Sequence, residues 1–241
     1  MRKALAYAWG TLLVLVLWWA LAEAVSSPAL PTPLATLPVL GEEAHAIWPH
    51  FLISLERIVA GMAIGGALGA PLGLLLGCSK RADLLFGPVL YILYPLPKVV
   101  FLPVLFVLMG LGGEAKVTLI AIAVLFQMMV TMRDAAKAVP QSLVEAFWSL
   151  GATRWQGFCH VTAPLSLPSL FTALRVTTGT AVAILFIAES MAGSTGLGYF
   201  IMHAWSVLEY KQMFAGIVAM AVMGVLFYEA FDLAERKLAG R

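Results

Sequence analysis

The stretch EAFWSLGATRWQGFCHVTAP, residues 145–164, sets four large aromatic side chains among charges and glycines in a chain that is otherwise mostly hydrocarbon. Pro140 and Ser142 followed by Glu145 form an S-x-x-E pattern, in which a serine hydroxyl caps a helix start and the glutamate reaches back to the serine amide. That helix is expected to end near Leu150, because Gly151 enters the left-handed backbone region at small cost. Thr153 with Gln156 repeats the capping pattern, so a second short helix should run to about Val161, before Pro164. Taken singly, Phe147, Trp148, Trp155 and Phe158 read as membrane-interface anchors, a common use of Trp, and Glu145 as a cap. Taken together on two capped helices, the aromatics form a knob suited to a partner's groove, where rigid aromatic side chains act as binding hot spots.

The rest of the chain says where such a knob would stand. Of 241 residues, 61% are hydrophobic and 12% charged, against about 25% charged in soluble domains, which identifies an integral membrane protein. A span needs about 20 mainly apolar residues. Apolar runs fall near 4–22, 56–77, 84–110, 115–132, 168–190 and 213–231, which predicts an all-α fold of about six transmembrane helices. The runs lack the alternation of apolar and polar positions that a membrane barrel strand requires.

Orientation follows from Lys and Arg, which collect in cytoplasmic loops. With the N-terminus inside, the inner segments hold Arg2, Lys3, Lys80, Arg81, Arg133, Lys137, Arg154, Arg236, Lys237 and Arg241, and the outer loops only Lys116 and Lys211. This asymmetry of ten against two places both termini in the cytoplasm. The net charge of +2 is then an effect of topology and no sign of nucleic-acid binding. Met1-Arg2-Lys3, an apolar run and ALAEA also have the form of a secretory signal, but the run from Ala4 to Ala22 exceeds the usual 7–15 residues, so a retained first span is expected. Cys78 and Cys159 fall on the cytoplasmic side, where thiols stay reduced.

Residues 23–50 contain Pro28, Pro31, Pro33, Pro38 and Pro49, too many for one regular element, and read as an extended external arm. The chain therefore divides into residues 1–50, a first span with its arm, and residues 51–241, the core. In GMAIGGALGAPLGLLLG, Gly61, Gly65, Gly69 and Gly73 recur every four residues, a stripe against which another helix can pack closely. YPLPKVVFLP breaks the third span, since Pro95, Pro97 and Pro103 each remove a backbone donor. Irregular backbone at membrane depth persists only inside protein or along a wet cavity. Lys98 at this break either snorkels to an interface or stands beside a pathway and favours an anion. Arg175, early in the fifth span, reads as snorkelling or as a pathway group. Glu189 and Ser190 at that span's outer end lead into Gly193, Ser194, Thr195, Gly196, Leu197 and Gly198, either a tight turn or a gate whose glycines permit unusual backbone. Glu189 itself is a solvated end residue or part of the gate. His45, His50, His160 and His203 lack metal-ligand spacing, the methionines serve as adaptable packing, and no acid/base constellation points to catalysis.

Several of these motifs carry a family resemblance. Glu145, Ala146, Gly151, Val161 and Pro164 resemble the cytoplasmic coupling loop of ABC importer permeases, with Phe147 for the usual Ala and Ala163 for the usual Leu. SLERIVAGMAIGGALGAPLGLLLG, YPLPKVVFLPVLFVLMGLGGEAKV and AESMAGSTGLGYFI are similar to segments of the nitrate, taurine and sulfonate type, over roughly residues 50 to 235. The resemblance implies a type I importer permease fold (MetI-like) in a bacterial inner membrane, with a coupling helix within the loop 141–164. It implies a second permease copy, two cytoplasmic ATPase subunits and a periplasmic substrate-binding protein. It assigns ATPase coupling to Glu145, Ala146, Phe147, Trp148, Gly151, Ala152, Thr153, Trp155 and Pro164. The pathway or gate falls to Lys98, Glu189, Ser190, Ser194, Thr195, Gly196 and Gly198. The chain has no G-x-x-x-x-G-K-[ST] loop, so ATP and Mg would be held by the partner ATPase, with no cofactor or metal on this chain. The cargo implied is a small anion such as a sulfonate, taurine, nitrate or bicarbonate, with neutral pyrimidine-like ligands as the alternative. The competing class is an ion-coupled carrier, which would need neither ATPase nor binding protein; the lack of an evident internal repeat counts against it.

The charge asymmetry predicts that an impermeant thiol reagent applied to intact cells labels single cysteines placed at 30–45 or at 205, and leaves Cys159 and positions near Lys80 unlabelled. Labelling of Cys159 from outside would overturn the layout.

Overall fold

A computed structural model describes residues 2–238, which are helical through most of their length with no strand among them. Arg241, and the side chains of Arg2 and Lys3, all counted in the charge asymmetry, lie outside the described residues. The helices are α1 (Arg2–Val25), α2 (Pro33–Glu42), α3 (Ala44–Cys78), α4 (Lys80–Leu93), α5 (Leu102–Met109), α6 (Gly113–Ala138), α7 (Gln141–Ser149), α8 (Arg154–Gly157), α9 (Ala163–Met191), α10 (Leu197–Ser206) and α11 (Tyr210–Leu238). A 3₁₀ turn, Lys98–Phe101, precedes α5, and a π turn, Phe158–Thr162, joins α8 to α9. Five stretches are long and apolar enough to cross a bilayer singly, and α4 with Lys98–Met109 is so only as a pair, bent by 86°. The six predicted runs each fall on one of these.

Two compact units emerge from the contacts: Met1–Ser54 with Glu189–Val222, and Leu55–Ala188 with Met223–Arg241. In the first, Trp18 stacks on Phe214 at 5.5 Å and donates its indole N–H to the Pro31 carbonyl at 3.0 Å. In the second, the glycine stripe of α3 meets α6. A methyl group on Gly65 would lie 2.5 Å from the Ala121 carbonyl oxygen, on Gly69 2.6 Å from that of Leu125, and on Gly73 2.5 Å from that of Met129. The two backbones are thus nearly in contact, and Gly77 extends the seam one turn further, against Arg133 and Ala136.

Three expectations are corrected here. The segment 23–50 is not an extended arm, because α2 and the first turns of α3 occupy most of it. Thr32 caps α2 by accepting the Ala35 amide at 3.3 Å, Pro33 takes the first helical position where no donor is needed, and the chain is pre-set for a helix. Pro38 and Pro49 lie inside helices, but Leu34 and His45, whose carbonyls lose a partner, are exposed and can be solvated. Lys116 is not in an external loop: it is 1% exposed in the first turn of α6. The third correction concerns Ser142, since α7 begins two residues earlier than the S-x-x-E pattern implies. Pro140 takes the cap position without a side-chain bond, and Glu145 accepts instead from Gln141 Nε2 at 2.7 Å.

The seam predicts a contrast between neighbouring glycines. Gly69→Val should lower the melting temperature of the detergent-purified protein, at a cost of about 1–3 kcal/mol from overpacking. Gly66→Ala, whose added methyl would meet only Leu174 Cδ2 at 3.7 Å, should melt like the parent. Equal melting of the two would mean that α3 and α6 are not locked by the stripe.

Candidate functional site

The element at 141–164 is built by local chemistry. α7 ends in a paired-bond turn, with the Gly151 amide on the Trp148 carbonyl at 2.9 Å and the Ala152 amide on that of Phe147 at 3.2 Å. This geometry requires a left-handed residue, and Gly151 has φ +86°. α8 opens with a full capping box: the Gln156 amide donates to Thr153 Oγ1 at 3.3 Å and Gln156 Oε1 accepts from the Thr153 amide at 2.8 Å. The second helix does not stop before Pro164. It passes through the π turn directly into α9, with the Ala163 amide on the Phe158 carbonyl, five residues back. That wider turn shifts the hydrogen-bond register at the position where Pro164 offers no donor.

The aromatics divide into two sets. Phe147 stacks on His160 at 6.3 Å, and Trp148 Nε1 closes on Gly157, so α7 folds back on the π turn. Trp155 stacks on Phe158 at 5.4 Å yet remains 71% exposed, and Leu150 is 85% exposed. Glu145, Ala146, Thr153 and Pro164 also lie on the open surface, with Ala152 half-buried. The result is a rigid projection whose apolar tips have no cover.

At the break after α4, Lys98 is an internal staple. Its ammonium donates to the carbonyls of Leu93, Tyr94 and Leu96 at 2.8, 2.9 and 2.9 Å and sits 4.7 Å from the centre of the Phe126 ring. Pro97 leaves Leu93 without its helical donor, the bend leaves the carbonyls of Tyr94 and Leu96 outside the helical pattern, and one charged donor reaches all three. Arg175 is likewise engaged: it pairs with Asp232 at 2.8 Å and Glu235 at 3.2 Å on α11.

The segment 189–198 divides in two. Glu189 is 1% exposed; its oxygens accept Ser54 Oγ at 2.9 and 2.8 Å, and Oε2 also accepts the Gly198 amide at 2.9 Å. Ser54 Oγ in turn accepts the Leu197 amide at 2.8 Å, and His50 Nδ1 accepts the Gly196 amide at 3.0 Å. Three consecutive amides that open α10, donors with no partner inside the helix, therefore end on side chains from α3 and α9. The carboxylate also lies at the positive end of the α10 dipole. Gly196 has φ +103°, and a methyl there would collide with the Glu189 carboxylate. Ser194 is exposed, and Ser190 and Thr195 are half-buried.

Ser54 and His50 were not singled out from the sequence. Their signal was a hydroxyl and an imidazole four residues apart, hence on one helical face, in an apolar context. The cap predicts that Glu189→Ala, which strands a buried amide and hydroxyl at about 1–3 kcal/mol for each unsatisfied group, sharply lowers the melting temperature. Glu189→Gln, keeping an acceptor, should recover most of it; equal losses would mean that the carboxylate does not hold α10.

Comparison with known proteins places this architecture. The family model for the binding-protein-dependent transport system inner membrane component matches residues 69–240. The chain is 30% identical over 239 residues, 95% of this chain and 87% of the relative, to the taurine transport system permease protein TauC of Escherichia coli (strain K12). It is 32% identical over 216 residues, 89% of this chain and 78% of the relative, to SsuC of Bacillus subtilis (strain 168), named as an aliphatic sulfonates transport permease. In fold it resembles a chain of an inward-facing MetNI methionine ABC transporter structure, with TM-score 0.68 and 20% identity, covering 84% of this chain and 98% of that one. With five long apolar helices, a sixth apolar pair bent at its middle and an exposed helical projection, the chain belongs to the family of binding-protein-dependent transport system inner membrane components, and it is a multi-pass ABC transporter permease.

Proposed function

We propose that this permease imports a small organic anion of the sulfonate class into the cytoplasm, and that α7 and α8 form the seat of a partner ATPase. The observation that carries the proposal is the uncovered projection, with Leu150 and Trp155 at its tips and a continuous helical connection to α9. Apolar side chains this exposed on a rigid element need a partner surface. Because α8 runs into α9 without a loop, displacement of the projection moves a transmembrane helix as a rigid body. ATP and Mg belong to the ATPase, two copies of which serve two permease chains.

In this scheme both termini and the projection are cytoplasmic, as the charge asymmetry requires. Substrate reaches the opposite face on a periplasmic binding protein, where Glu189, Ser190, Ser194, Thr195, Gly196 and Gly198 act in the gate and Ser54 and His50 fix its geometry. The sulfonate class follows from the names of the two relatives.

Gly151 gives the sharpest test, because open space surrounds it and only its backbone conformation is constrained. A β-branched residue at φ +86° is strained by about 1–2 kcal/mol. Gly151→Val should therefore insert and pair with its second copy normally, lower recovery of the ATPase on affinity purification, and abolish substrate-stimulated ATP hydrolysis. Normal recovery with normal stimulation would require withdrawal of the coupling assignment.

A further inference from the structure

We infer that Gln127, positioned by Tyr94, hydrogen-bonds a small oxyanion in a water-filled path along the exposed face of α6; the inference rests on the importer reading above. Between Val117 and Met132, α6 carries only Thr118, Gln127 and Thr131 as polar residues. Gln127 Oε1 accepts the Tyr94 hydroxyl at 2.8 Å, while its amide nitrogen has no partner among the described residues. The pair is not buried: Gln127 is half-exposed and Tyr94 is 38% exposed.

An amide donor facing lipid within an apolar crossing would be left unsatisfied. This face therefore meets water. Thr131 and Asp134 continue the polar line at four and seven residues from Gln127, on the same side of α6. Asp134 lies 3.2 Å from Arg133, in a cluster where Arg133 and Lys137 balance Asp83 and Asp134, so the cluster adds no net negative charge.

The chemistry selects the ligand. The free group on Gln127 is a donor. The Lys98 ammonium stands 4.7 Å from the centre of the Phe126 ring and 5.9 Å from that of Tyr94, the residue that positions Gln127; its hydrogen bonds all end on neutral carbonyls and it has no carboxylate partner among the described residues. A net positive charge with a free N–H pair fits an oxyanion and disfavours a cation. Lys98 thus supplies field and Gln127 contact.

The test uses the assembled permease–ATPase complex in lipid nanodiscs, with Cys78 and Cys159 replaced by alanine. Gln127→Cys should react with an anionic, sulfonate-bearing methanethiosulfonate at least about tenfold faster than with its trimethylammonium counterpart, the lower end of electrostatic focusing. It should also react faster with the anionic reagent than Met128→Cys does, since Met128 is fully buried. Gln127→Glu should lower taurine uptake by about tenfold or more, the loss of one charge-assisted hydrogen bond, with ATPase recovery unchanged. Reactivity no greater than at Met128→Cys, no preference for the anionic reagent, or normal uptake in Gln127→Glu would each overturn the inference. If the parent complex moves no taurine, the sulfonate reading fails separately, and the labelling arm still decides whether this face admits anions. That arm does not depend on the glutamate variant assembling, because cysteine is small and uncharged.

Discussion

Hydrocarbon offers no solvent to complete a broken backbone, and the hydrogen bonds that a helix would have made must come from somewhere else wherever this chain departs from one. At residues 93–96 they come from a single ammonium, that of Lys98. At 196–198 they come from an imidazole, a hydroxyl and a carboxylate carried by two other helices. At 158–162 the chain keeps its bonds by widening one turn, so that Pro164 falls where a missing donor does least harm. The close approach of α3 to α6 needs nothing but the absence of side chains along one stripe.

These solutions separate two kinds of polar placement. Glu189 is closed off: its oxygens are bonded, its surroundings leave no room even for a methyl group on Gly196, and its contribution is to hold three elements in one arrangement. A fully satisfied buried network of this kind stiffens its surroundings, and a partly stripped one is costly. Gln127 is left half-satisfied and half-exposed. In an apolar medium that state is unstable unless something else completes it, which is why the two polar residues point to different tasks.

The legibility of all this in the sequence follows the range of the interactions. Apolar runs set the number of crossings because the composition is extreme, and the Thr153–Gln156 box and the left-handed Gly151 were readable because each is settled within a few residues. Proline misled twice, over the external segment and over Pro164, since its cost depends on whether the orphaned carbonyl finds solvent or a shifted register. A two-residue change in where α7 starts was enough to undo the Ser142 pattern. Glu189 could be picked out, but its partner on α3, Ser54, stands 135 residues away along the chain, and no local spacing encodes that pairing. Lys98 was visible as an oddity, yet which carbonyls it would staple depended on the 86° bend.

The turn at Gly151 carries an implication about handedness. Nothing lies within 4 Å of the place where its side chain would be, so what the site rejects is the chirality of ordinary residues and not their bulk. A mirror-image amino acid is at ease at φ +86°, and the space next to the backbone there is open to its side chain. Introduced by chemical ligation, such a residue would let a fluorophore or spin label ride on the tip of the projection while leaving its geometry intact.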